Sequence, residues 1–551
     1  MIAGDRRAAL ALAAIVLFAG IRIVAQYPVF SATFDEPAHF TAGLEILQQG
    51  SYRSELRQPP LARLLLAIPP YLGGTRADMD LPFFERAVDT LVGRGDYWTT
   101  LTLARSAALP FALGLIVLTY FWGRRLFGSR AGTAAAVVVS ACPLLLGHGA
   151  LATPDLPATL GFALTGFFFL GWVRAGGWAN ALASSVCAVV SLSMKYSAIG
   201  FLPAMLLAFL MVRWAEAGAA AWTPERRRAL VRQAAAALAL FAVLCWAGWG
   251  FDVGPLSDPE NVISESIDRY LPPESSLRPT ALYLLREASY PAPGLWDGVA
   301  LAMRLSRTGG HAQYFLGEGK IRGGWPHYFP VAIAVKTTLP LLALLLLATA
   351  RSTEGEVRWN LIYLAAAAAA VLAVGLNSRL NMGLRHLALL YPLFAMAAGS
   401  LFREDGWRSC ITGRLATALV AAHFAVSLAA HPDYIAFFNL ASRSHADYLL
   451  GDSNLDWGQD LARLSRELRE RGVERPYLRI FSSTPPEALG IADYRTLEPG
   501  ERPTGWIAIS TTPLQGYYFP GDESRYRWLL EHEPVARIGA SIRLYRIDGA
   551  D

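Results

Sequence analysis

The chain has 551 residues, of which 54% are hydrophobic and only 17% charged, and its mean hydropathy is +0.32. That balance excludes the ordinary water-soluble class, and a net charge of +5 with no basic tract interleaved with aromatics argues against nucleic acid as a partner. Four cysteines, Cys142, Cys187, Cys245 and Cys410, stand singly without metal-ligand spacing, so neither a disulfide framework nor a zinc site is expected.

Apolar runs of the roughly 17 to 25 residues that cross a bilayer fall at 8–25, 99–122, 131–148, 157–173, 178–194, 197–213, 233–250, 329–349, 359–376, 386–402 and 414–430. The expected fold class is therefore a mainly α polytopic membrane protein of about 11 transmembrane helices. The first run is long for a signal-peptide core and no small-residue cleavage site follows before Pro28, so it reads as an uncleaved span. Arginines gather in alternate short loops, among them Arg6, Arg7, Arg124, Arg125, Arg130 and the Arg226–Arg228 run. The positive-inside rule then places the amino terminus in the cytoplasm and the carboxyl terminus outside.

With that orientation the three long segments, 26–98, 251–328 and 431–551, all face outward, and long loops usually carry function. The first opens on TFDEPAHFTAG, residues 33–43, where Pro37 suits the first turn of a helix over 37–48 and Asp35 or Glu36 its N-cap. LARLLLAI then predicts a helix over 60–68 lying in the membrane interface, with Arg63 breaking its apolar face. The second long segment ends in GGHAQYFLGEGKIRGGWPHYFP, where His311, Tyr314, Glu318 and Lys320 stand among glycines and suggest a mobile loop that closes over substrate. In the third, DLARLSRELRERG and SRYRWLLEHE read as helices and YLRIFSS and GWIAISTT as strands. These signals predict a small extracytoplasmic α/β domain over 431–551, following a membrane domain over 1–430.

The ionisable residues of the spans sit at their outer ends, Arg22, Arg105 and Lys336, or in the outer turns, Asp155, Lys195, Arg379 and Arg385. A secondary transporter holds such groups near the bilayer midplane, so the pattern favours a site at the outer interface. Of 49 basic residues only three are lysines, Lys195, Lys320 and Lys336, and all three fall on or near the outer face. Asp452, Asn454 and Asp456 imitate the start of a calcium loop, but Gly458 comes one residue late and Arg463 stands where a bidentate Glu is needed, which excludes an EF-hand.

The FDEPAHF pair, Gly50, Tyr52 and the Pro59-Pro60-Leu61 run, ATPDLPA, SMKYSA and NMGLRHLALLYP together resemble the GT-C membrane glycosyltransferases. The nearer likeness is to glycosyltransferase family 39, the protein O-mannosyltransferase and aminoarabinose–lipid A transferase branch, over about residues 8–430. The resemblance implies a bacterial inner-membrane enzyme that moves a monosaccharide, with inversion, from a polyprenyl-phosphate sugar to an acceptor hydroxyl on a lipid, a glycan or a protein. It implies Asp35 as general base with Glu36 beside it, and Lys195, Arg385 and Arg379 as ligands of the carrier phosphate. Asp155, His39, His311, Tyr314, Glu318 and Lys320 are then candidates for positioning donor or acceptor. No cofactor is assigned, and a divalent metal ion on Glu36 and His39 stays open. Two other readings fit the spans, a transporter of lipid-linked glycans and a noncatalytic scaffold for envelope assembly, but neither accounts for an acidic pair beneath outer-face cations.

Overall fold

A computed structural model describes residues 2–218, 222–256, 267–350, 355–403, 411–518 and 525–548. The chain is mainly helical, as expected, and the helices of its larger part share one apolar core that reaches from Ala19 to Leu455. Helix α1 (Ile2–Val24) leads to the 26–98 segment, which contributes α2 (Glu36–Gln49) and α3 (Pro60–Leu72) and is followed by α4 (Tyr97–Ser106), the first part of the next span. Pro37 opens α2, and Gly50 closes it in the left-handed conformation, φ 64°, its N–H returning to the Ile46 carbonyl.

Helices α2, α3 and α4 carry a core of their own, in which Phe40 and Leu44 of α2 meet Leu66 of α3 and Leu101 of α4. Helix α3 packs on α2, and Arg63, which breaks its apolar face, is buried there. The close approach requires Gly43, because a Cβ there would collide with the backbone carbonyl of Arg63. Gly43→Ala is expected to cost about 1–3 kcal/mol by overpacking, read as a lower unfolding temperature of the protein in detergent.

Every expected span has a helical counterpart, yet the lengths differ from eleven uniform crossings. Among the described residues seven helices are long and apolar enough to cross a membrane. These are Arg6–Val24, Tyr97–Phe127, Asp155–Ala175 (its full length labelled α5), Ala198–Ala217, Pro224–Gly248, Glu356–Asn377 and Ile411–Ala429. The runs at 131–148 and 329–349 are bent pairs, Ser129–Ser140 with Pro143–Gly149 at 63° and Tyr328–Lys336 with Leu339–Ala350 at 108°, which brings the number to nine if each is one span. After each bend the chain re-enters a helix at a proline, Pro143 at the first position and Pro340 at the second, where the missing N–H has no intrahelical partner to lose. The runs at 178–194 and 386–402 form shorter apolar helices, Trp178–Met194 and Leu390–Phe402. The chain is a multi-pass membrane protein. Cys142, Cys187 and Cys245 are free thiols, and Cys410 lies outside the described residues.

The glycine-rich segment forms a hairpin, β1 (Gln313–Phe315) against β2 (Glu318–Lys320). Its turn is fastened from beyond the last span, with Leu316 N–H on the Leu449 carbonyl at 3.1 Å and Gly317 N–H on the Tyr448 carbonyl at 2.9 Å. Gln313 adds side-chain bonds to the carbonyls of Gly309 and Gly323, which tie the hairpin's base.

Toward the carboxyl end, α6 (Leu461–Glu470) packs with a five-stranded mixed sheet of β3 (Tyr477–Arg479), β4 (Arg495–Thr496), β5 (Gly505–Ser510), β6 (Ala536–Ile538) and β7 (Ile542–Ile547). The spatial order is β4-β3-β5-β7-β6, with β3 parallel to β4 and β5 and the remaining pairs antiparallel. Alternation in GWIAIS buries Ile507 and Ile509 on one face against Tyr526 and Leu529, and Ala508 on the other against Leu461 and Leu464. The helix expected in SRYRWLLEHE is a single 3-10 turn, Arg527–Glu531, stopped ahead of Pro534.

Candidate active site

Asp35 immediately precedes α2, but its side chain makes no capping bond to that helix. The carboxylate points instead to Arg385 Nη2, 3.3 Å from Oδ2, and keeps 36% of its surface exposed. Its neighbour Glu36 is fully buried and engaged at both oxygens. Oε1 receives Arg105 Nε at 2.9 Å and Ala152 N–H at 2.8 Å; Oε2 receives Arg105 Nη2 at 2.9 Å and Thr33 N–H at 2.8 Å. Arg105, projecting from α4, gives its remaining donors to the carbonyls of Tyr27, Phe30 and Ser31, so all five of its N–H groups are used. Adjacent carboxylates thus have opposite fates, Glu36 clamping the loop from below and Asp35 facing out of it.

From Asp35 a chain of ion pairs runs inward. Arg385, on a 3-10 turn over Leu384–Leu387, reaches Asp155 Oδ2 with Nη1 at 3.5 Å, and Asp155 Oδ1 takes Lys195 Nζ at 2.5 Å. Local structure sets each partner: Asp155 opens α5, where the helix dipole favours a carboxylate, and Lys195 closes Trp178–Met194, where it favours a cation. Residues 35, 155, 195 and 385 come from four separate parts of the chain, and two cations meet two carboxylates. Lys195, Asp155 and Arg385 are buried, so the relay surfaces at Asp35. Arg385 is loosely tied: its two bonds are long, against 2.8–3.2 Å for those of Arg105, and its Nε has no acceptor among the described residues.

The DSNLDWGQD run, excluded above as an EF-hand, is part of this site. Trp457 lies under the Arg385 guanidinium, 3.9 Å from ring centroid to Cζ, a cation–π contact. Asn454 Oδ1 accepts Leu384 N–H at 3.1 Å, and Ser453 Oγ donates to the Met382 carbonyl at 2.8 Å, which ties the run to the segment carrying Arg385. On the other side Phe34 N–H donates to the Trp457 carbonyl and Ser31 N–H to the Gln459 carbonyl, fixing the strand that leads into Asp35. Phe34 stacks flat on Phe481, 4.8 Å between centroids, and Tyr518 sets its ring edge-on to both. Burial pushes the carboxyl of Asp452 up to about 6, with Arg385 opposing and Asp35 adding to the rise. A tryptophan amid closely spaced acids was the signal in the sequence for this role.

The other candidates fall around this centre. His39 is buried on α2 and accepts Arg63 Nε at 3.4 Å through Nδ1; burial first and Arg63 second hold its titration well below the usual imidazole range. Arg63 also takes Tyr52 Oη at 2.7 Å and pairs with Glu55, so the Gly50–Tyr52 motif feeds this second network. His311 is pushed down by burial and then by Arg57, with Asp35 opposing. Tyr314 is buried against Tyr517, 5.3 Å between ring centroids. Glu318 and Lys320 pair with each other at 3.2 Å and both hold Trp325, on the hairpin and outside the relay. Arg379 is exposed and takes no part in the relay. A metal ion does not fit Glu36 and His39, because Glu36 Oε1 already accepts two donors and Oε2 three, and His39 Nδ1 accepts Arg63. Among the described residues no three His, Cys, Asp or Glu side chains are grouped to hold one.

Residues 101–249 match a family described as dolichyl-phosphate-mannose-protein mannosyltransferase. That stretch contains Asp155 and Lys195, while Asp35, Arg385 and the 452–460 run lie outside it. No curated protein is matched. Among solved structures, ArnT from Cupriavidus metallidurans bound to undecaprenyl phosphate is 14% identical, with 97% of each chain covered and a TM-score of 0.49. The Saccharomyces cerevisiae protein O-mannosyltransferase Pmt1-Pmt2 complex bound to its sugar donor is 15% identical, covering 44% of this chain and 33% of that one, TM-score 0.36. The Archaeoglobus fulgidus oligosaccharyltransferase AglB, in complex with an inhibitory peptide and a dolichol-phosphate, is 12% identical, covering 93% and 71%, TM-score 0.41. Over residues 101–249 the chain carries the signature of the protein mannosyltransferase family, and the GT-C glycosyltransferase resemblance read from its motifs is borne out there.

Proposed function

We propose that the protein is an inverting glycosyltransferase of the extracytoplasmic membrane face that takes a monosaccharide from a polyprenyl-phosphate carrier. The observation that carries the reading is the ion relay, which ends in one exposed carboxylate, Asp35, above two buried cations. In the reaction the acceptor oxygen attacks the anomeric carbon as its proton passes to Asp35. The bond from that carbon to the phosphate oxygen breaks on the opposite side, and the electron pair leaves with the lipid phosphate. Such a step needs a base at the attacking oxygen and positive charge at the leaving one.

Arg385 and Lys195 supply the charge in this reading. The long Arg385 contacts and its unclaimed Nε let the guanidinium exchange a carboxylate for phosphate, while Trp457 keeps its plane. Asp155 is a positioning residue that holds both cations at the relay's buried end. Glu36 positions Asp35 through the loop that Arg105 clamps. The 431–551 tail is assigned as an outer domain that completes the site.

The test is binding of polyprenyl phosphate to purified variants. Arg385→Gln is expected to weaken it at least tenfold, while Arg379→Gln, on the exposed arginine outside the relay, stays within twofold of the wild type. Equal losses would contradict the assignment of the phosphate site.

A further inference from the structure

The backbone at Asp452 is left-handed, φ 53°, a conformation that is costly for most side chains and best tolerated by Asn and Asp. The fold's own bonding does not account for a carboxylate there. Among the described residues the donors to its side chain come from adjacent Ser453, and its N–H goes to Tyr517 Oη at 3.2 Å. The two later acids of the same run have structural partners. Asp456 takes the N–H of Thr512, and Asp460 takes the N–H and hydroxyl of Ser541 together with Arg463.

What distinguishes Asp452 is where the run puts it. Ser453 and Asn454 bind the 382–384 backbone directly before Arg385, and Trp457 stacks on that arginine. Asp452 acts electrostatically on Arg385, on Asp35's surroundings and on the tyrosines 517 and 518. One carboxylate, Asp35, thus touches a guanidinium whose Nε lacks an acceptor, and a second, Asp452, sits at the head of the run that is bonded to that arginine's segment and stacked on its plane, with the rings of Phe34, Phe481 and Tyr518 beside Asp35. Carboxylates that accept hydroxyl protons, set beside aromatic faces, are the chemistry that holds a sugar ring.

Building on the transfer reading, we infer that Asp452 binds the acceptor, accepting a hydrogen bond from a second hydroxyl while the attacking hydroxyl faces Asp35. The acceptor is then polyhydroxylated, a glycan or the sugar of a glycolipid, and the tail supplies half of its subsite. The transfer reading assigns the carrier phosphate to the two cations that meet at Asp155, Lys195 and Arg385, and Asp452 makes no ion pair with either, so in this inference Asp452 governs acceptor and not carrier.

The experiment uses the purified full chain, radiolabelled polyprenyl-phosphate sugars, and two acceptor probes, a bacterial envelope glycolipid extract and a Ser/Thr-rich peptide. Asp452→Asn keeps the shape and tolerates the left-handed backbone, so it tests the charge alone. The expected result is transfer to the glycolipid extract, a KM for that extract raised at least tenfold in Asp452→Asn, carrier affinity within twofold, and partial rescue by Asp452→Glu. An unchanged KM in Asp452→Asn, loss of carrier binding in step with transfer, or wild-type transfer to the peptide alone overturns the inference. A wild type that moves no label to either probe overturns the transfer reading itself, a result separate from any behaviour of Asp452.

Discussion

Asp35→Asn lowers sugar transfer by about 10²–10⁴-fold, the range a positioned general base supplies, while polyprenyl phosphate binds as before and the unfolding temperature is unchanged. The second half of that expectation follows from the geometry. Asp35 caps no helix, is partly exposed, and touches Arg385 through one long contact, so its charge contributes little to the fold. Comparing single-turnover transfer with carrier binding in the same preparation checks both halves. A loss of stability equal to the loss of rate would return Asp35 to a structural role.

Its neighbour has the opposite expectation. Glu36→Gln leaves the Arg105 guanidinium, 1% exposed, without a counter-charge among the three carbonyls it also binds. Breaking a buried pair from one side costs roughly 3–5 kcal/mol, seen as a large drop in unfolding temperature in detergent. Transfer falls as well, because the 27–36 loop that aims Asp35 is held by Arg105 and by the 457–459 backbone. The same substitution made at positions 35 and 36 thus separates chemistry from scaffolding within one dipeptide. A Glu36→Gln protein as stable as the wild type would contradict the clamp.

Much of the membrane architecture was legible because hydrocarbon demands long apolar runs, and each run read from the sequence is helical. Less legible were the breaks at Pro143 and Pro340, where one apolar run hides two helices that meet at 63° and 108°. Local patterns also placed α2, α3, α6 and the strands at 477 and 505. The site was legible only as residue types. Asp35, Asp155, Lys195 and Arg385 were suspected from their position at outer turns, yet nothing in a sequence states that residues 350 apart pair. Arg105 was noticed as a charge at a span's end, and its partner Glu36 was noticed for chemistry, but the pairing belongs to packing. The DSNLDWGQD run was legible only as what it is not, an EF-hand, and the reason is physical. Spaced acids suggest a cation loop, whereas here a tryptophan stacks on an arginine and each of the three acids accepts from a backbone N–H group.

The central claim is that sugar leaves a polyprenyl-phosphate carrier at Asp35. Its most direct measurement is the movement of radiolabel from a panel of polyprenyl-phosphate sugars to an envelope acceptor fraction, with wild type and Asp35→Asn purified in parallel. The account predicts label in the acceptor and free polyprenyl phosphate with the wild type, and neither with Asp35→Asn although it binds the carrier. Carrier-linked sugar that stays intact with the wild type, or is consumed equally by both proteins, would contradict it.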